Sequence, residues 1–111
     1  MLQLSKSDIN DMAQKIVHKV NPVQIYLFGS YVKGNASPAS DIDFLVVEDQ
    51  PFNASHSRLQ EIRNIKRALS SYRVPKDILL YSKDEVEKWK TSLNHIVARC
   101  LREGKMLYAR S

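Results

Sequence analysis

The chain has one cysteine, three glycines and a single tryptophan. No apolar run approaches the roughly 20 residues that a membrane-spanning helix needs. Cys100 alone cannot form an internal disulfide or a cysteine-based metal cluster. The first residues, MLQLSKSD, lack the apolar core of a signal peptide, so the expected location is the cytoplasm. Internal repeats, low-complexity segments and linkers are also missing, and residues 1–111 are expected to form a single domain. The formal charge is +5, yet no arginine-rich tract or aromatic-interleaved basic stripe accompanies it. Charge therefore gives no support for direct nucleic-acid binding. A content of 43% hydrophobic and 26% charged residues is that of an ordinary globular chain.

What the sequence does contain is concentrated in Phe28–Val47, FGSYVKGNASPASDIDFLVV. An apolar run, Val23–Phe28, reads as a buried strand and is followed by Gly29-Ser30. A glycine after a strand, then a serine opening a short helical turn, leaves N–H groups and a hydroxyl free to grip phosphate oxygens. The second strand, Asp41–Val47, opens with Asp41 and Asp43. Residues two apart on a strand share a face, so these carboxylates lie side by side. They repel unless a cation sits between them, and at a phosphate-handling site that cation is magnesium. Alone, Asp-x-Asp reads more readily as turn chemistry at a strand entry. Joined to a phosphate grip, it points to a nucleoside triphosphate.

The remaining elements follow from periodicity. Ser5–Val20 places Ile9, Met12, Ala13, Ile16, Val17 and Val20 on one helical stripe, with Asn21-Pro22 as its stop. Gly34–Ser40 is a loop too short for a crossover helix, so the first two strands are expected to be antiparallel. A second helix, Ser55–Tyr72, buries Leu59, Ile62, Ile65 and Leu69 and exposes Arg58, Arg63, Lys66 and Arg67. His56 near its start is expected to face solvent. Because that helix separates strand two from Val74–Ser82, those strands should be parallel, which brings Asp77 beside Asp41 and Asp43. Ser82 and Glu85 form a capping box for Lys83–Lys90. Ser92–Glu103 is expected to bury Leu93, Ile96, Val97, Cys100 and Leu101, with Gly104 ending it and Lys105–Arg110 closing as a strand. Trp89 and His95 have no evident chemical neighbour. The fold class is α/β (α+β): a small mixed sheet flanked by helices.

Gly29-Ser30, ten intervening residues, Asp41-Ile42-Asp43 and then the strand acid Asp77 resemble the nucleotidyltransferase superfamily typified by DNA polymerase beta. The chain length, the GSYVKG turn and the KDILLYS…REGKMLYAR ending are similar to the minimal nucleotidyltransferases, antitoxins paired with a HEPN-domain toxin. The resemblance implies that Asp41, Asp43 and Asp77 are catalytic and hold two magnesium ions. Gly29 and Ser30 would bind the phosphates of ATP, with Lys33 offsetting their charge, and Gly34 would let the loop turn back. It further implies AMP transfer to a hydroxyl, such as a tyrosine, on a HEPN RNase partner. Neutralisation by binding alone, and transfer to RNA or a small molecule, stand as alternatives. The HEPN signature, an arginine followed by a histidine after four to six intervening residues, does not occur at His18, His56 or His95, so the chain is not itself such a toxin.

Overall fold

The computed structural model describes residues 4–37 and 39–110. Pro38 of the expected loop and the two chain ends lie outside the described residues. The elements are α1 (Lys6–Val20), β1 (Gln24–Phe28), α2 (Ser30–Lys33), β2 (Ile42–Glu48), α3 (Arg58–Ala68), β3 (Lys76–Ser82), α4 (Lys83–Trp89), α5 (Ile96–Glu103) and β4 (Lys105–Ala109). The strands form one mixed sheet in the order β3-β2-β1-β4. β1 runs antiparallel to both β2 and β4, and β2 runs parallel to β3, as the short and long connections require.

β2 is the central strand, and its side chains divide by parity between two layers. Ile42, Phe44 and Val46 pack with Ile9, Met12 and Ile16 of α1 and with Ile65 of α3. Leu45 and Val47 pack on the other face with Val86 of α4 and with Val97 and Cys100 of α5. Phe44, Leu45 and Val46 are wholly buried, which accounts for a run that is apolar on both faces. The helix starts are set by side chains. Ser5 and Asp8 close a capping box on α1, and Ser82 and Glu85 do the same on α4. Among the described residues no helix is long and apolar enough to cross a membrane.

Three expectations are corrected. α3 begins at Arg58, because Asn53 and His56 form an isolated bridge and Ser57 is the cap. Leu59 is 57% exposed, because at about 100° per residue it lies roughly 120° around the helix from buried Ile65. Arg58 is not on a solvated face but grips Glu85 with two nitrogens, at 3.0 and 2.6 Å, and donates to the Leu80 carbonyl at 2.8 Å. α5 begins only at Ile96, where His95 Nδ1 accepts the Val97 N–H at 3.1 Å, so Leu93 falls before the helix and is 79% exposed. His95 also stacks on Trp89 with ring centroids 4.4 Å apart, so both side chains have a neighbour after all.

The turn from β1 into α2 depends on Gly29. Its φ of +79° and ψ of −153° lie in a region open essentially to glycine alone. A Cβ there would stand 2.2 Å from Asp43 Oδ2. Gly34 also has a positive φ, +78°, but a Cβ on it would meet nothing within 4 Å. Gly29→Ala should therefore cost about 3 kcal/mol, the upper end of the range for a strained backbone, against about 1 kcal/mol for Gly34→Ala. Urea unfolding of the two variants checks the order; equal losses would mean that Asp43 does not press on this turn.

Candidate active site

β1 and β2 pair so that Phe28 stands opposite Asp43, and β2 and β3 pair so that Asp43 stands opposite Asp77. Asp43 and Asp77 therefore occupy adjacent positions across two strands, at the end of the sheet where β1 turns into α2. Strand parity sets Asp43 on the same face as Leu45, toward α5. Asp41 precedes the strand and is exposed, as is Asp77, whereas Asp43 is half-buried. The approach to Asp41 is braced by Ser37 and Ser40: the Ser37 N–H donates to Ser40 Oγ at 2.8 Å, and the Ser40 N–H donates to the Ser37 carbonyl at 3.0 Å.

Burial, then the charges of Asp77 and Asp41, push the Asp43 carboxyl up to about 6. Among the described residues no ion pair or hydrogen bond offsets any of the three side chains. Their oxygens do not gather to within 4.8 Å as a trio, as carboxylates without a shared cation would not. This donor set suits magnesium, which takes one or two carboxylates together with phosphate oxygens and keeps the rest of its shell as water. The backbone of Gly29 lies directly against Asp43 Oδ2. Ser30 and Tyr31 open α2, where the first N–H groups have no acceptor within the helix.

A cavity of about 180 Å³ adjoins this turn, lined by Phe28, Gly29, Lys33, Ile96, Arg99, Cys100 and Glu103. Lys33 and Arg99 bring two cations to it. Arg99 was not singled out from the sequence, because it lies on the outer side of α5 and has no motif around it; its only signal is proximity in the fold. Cys100 is buried, and its thiol is pushed up to about 11, chiefly by that burial, so it is a core residue and not a nucleophile. A larger cavity of about 330 Å³ lies on the α1 side beside Tyr31 and has no acid in its lining.

A second cluster lies at the opposite end of β2. Glu48 is only 4% exposed, and burial followed by the neighbouring Glu61 pushes its carboxyl up to about 8. His56 Nε2 comes to 3.1 Å from Glu48 Oε1. The expected solvent-facing histidine is thus turned inward, because the Asn53–His56 bridge folds the connector back over the strand end.

The comparisons with known proteins agree with this geometry. A family model described as a nucleotidyltransferase domain matches residues 9–100. No curated protein sequence matches the chain. A solved structure of a toxin–antitoxin with AMP-PNP superposes with a TM-score of 0.56 at 23% identity, over 92% of this chain and 74% of the other. A candidate nucleotidyltransferase from Sulfolobus solfataricus superposes with 0.55 at 19% identity, over 99% and 94%. The toxin–antitoxin MntA-HepT gives 0.50 at 20% identity, over 91% and 70%. At such identities the structural likeness speaks for the fold, and the family model, which spans most of the chain, for descent. The chain belongs to the nucleotidyltransferase domain family.

Proposed function

We propose that the chain is a magnesium-dependent nucleotidyltransferase that moves AMP from ATP onto a hydroxyl of a HEPN-type RNase partner, with a tyrosine as acceptor, and so acts as an antitoxin. The observation that carries the transfer reading is the close approach of the Gly29 backbone to Asp43 Oδ2, with Asp77 in register beside it. That contact joins a phosphate-binding turn to an uncompensated carboxylate group within one hydrogen-bonded sheet. The partner reading draws on the toxin–antitoxin structures among the fold neighbours.

Asp41 and Asp43, with Asp77, would hold the two metal ions. Bound magnesium supplies charge neutralisation for the triphosphate and the leaving pyrophosphate. The residues of the chain do the rest by position and charge. The Gly29 and Ser30 N–H groups and the Ser30 hydroxyl bind the outer phosphates. Lys33 offsets their charge from the end of α2. Asp77 takes the proton of the acceptor hydroxyl. The acceptor oxygen then bonds to the α-phosphorus as the bond from that phosphorus to the bridging oxygen breaks, and pyrophosphate departs with the electron pair.

Two outcomes are expected. The purified chain, incubated with magnesium, α-labelled ATP and its co-purifying partner, should label that partner. Asp43→Asn should lower transfer roughly a hundredfold or more, the several kcal/mol that metal catalysis supplies. Label on RNA or a small molecule would change the acceptor, and a tight but unlabelled partner would mean that the chain acts by binding.

The same variant has a stability signature. Because the Asp43 carboxyl is raised to about 6 from an ordinary value of 3.8, folding takes up a proton between those limits. Its contribution favours the fold below about pH 4 and is lost as pH rises through about 6. Asp43→Asn should therefore melt at or above the wild-type temperature at neutral pH, with the difference shrinking toward pH 4. A variant that melts well below wild type at pH 7 would make the acid structural.

A further inference from the structure

Glu48, His56 and Glu61 come from three successive pieces of chain: the last residue of β2, the connector, and the first turn of α3. One ligand atom from each lies within 4.8 Å of the others, and among the described residues no other trio of acids, histidines or cysteines does so. We propose that these three side chains form a binding site for one first-row divalent cation, of which zinc is the best match, clamping the β2–α3 crossover. The site is separate from the candidate active site. Glu48 is five residues beyond Asp43, about 17 Å along the strand, and by parity on the α1 and α3 face of the sheet.

The second observation that points to a ligand is the state of the buried donors. Glu48 is more than nine-tenths buried and lines an open cavity of about 440 Å³ with His56 and Glu61, yet its Oε2 has no hydrogen-bond partner. His56 Nε2 is likewise buried without a hydrogen bond, although Glu48 Oε1 is 3.1 Å away. A nitrogen and a carboxylate oxygen that approach this closely but off the hydrogen-bonding direction are arranged as co-ligands are. Two donors each about 2.1 Å from a tetrahedral zinc lie about 3.4 Å apart.

His56 is already positioned for the task. Its ring stacks on Phe52 at 4.9 Å, and its N–H and carbonyl are both bonded to Asn53, at 3.2 and 3.0 Å. The donor types select the metal. An imidazole with two carboxylates suits zinc and its first-row neighbours, whereas magnesium and calcium prefer oxygen alone. Lys19 and Arg110 line the outer part of the cavity, but Arg110 is drawn to Asp49 at 3.7 Å and to the Asn21 carbonyl.

The test is metal content and stability of the full chain after chelator treatment and dialysis against a modest molar excess of zinc. One zinc per chain and a higher melting temperature are expected. Both should be lost in Glu61→Gln and in His56→Ala, each verified as folded by circular dichroism, and both should persist in the Asp41→Asn/Asp43→Asn variant. Cobalt in place of zinc should give visible absorption bands that disappear in the same two variants. Failure of the wild-type chain to retain zinc would overturn the proposal and leave Glu48 and Glu61 as a proton-sharing pair. Retention undiminished in both variants would overturn it equally, by placing the metal elsewhere.

Discussion

The contact on which the site depends is that between the Gly29 backbone and the Asp43 carboxylate. It requires β1 to end where β2 begins, a glycine-only conformation at the junction, and antiparallel pairing that sets Phe28 opposite Asp43. Once it is made, the N–H groups that open α2 and the carboxylates at the start of β2 and β3 share one edge of the sheet. Neither part could be moved by a residue without losing the other, because a one-residue slip of β2 would turn Asp43 to the opposite face.

β2 supplies more than its central position. Its seven residues include two acids, Asp43 near the start and Glu48 at the end, and the four apolar residues between these carry the core on both faces. Parity sends these acids to opposite faces, and the strand length separates them. The wholly buried Ile42, Phe44, Leu45 and Val46 fix the register, so the placement of both carboxyls is enforced by apolar packing and not by their own partners.

Much of this was legible in the sequence because the signals are local or periodic. The α1 stripe, the α4 capping box, the antiparallel first pair and the parallel second pair all follow from residue spacing and connection length. So does the meeting of Asp77 with Asp43, which needs only a parallel pair in the expected register. What spacing could not convey is where side chains from distant elements close on one another. Arg58 reads as a solvated helix residue until Glu85, twenty-seven positions later, is brought opposite it. His56 reads as exposed because no ligand companion stands at helical spacing; its companions are reached through a bridged turn instead. Leu93 is exposed for a simpler reason, since α5 starts later than its apolar pattern does, and Leu59 because it stands about 120° around α3 from Ile65.

Charge shows which of these clusters ask for a ligand. The chain carries 17 lysines and arginines against 12 acids, so cations are plentiful. They are used where the fold wants neutrality: Arg58 on Glu85, Arg110 on Asp49, Lys90 on Glu87. Among the described residues none pairs with Asp41, Asp43 or Asp77, and none reaches Glu48 or Glu61. In a chain of net positive charge, acids crowded together without a lysine or arginine partner are not a consequence of composition. Burial and mutual repulsion make both clusters costly as they stand, and a cation is what would turn that cost into binding affinity. At the first cluster the neighbouring turn, proposed to bind phosphate, calls for a metal that arrives with a nucleotide. At the second, an oriented imidazole and a crossover to be clamped call for one that stays.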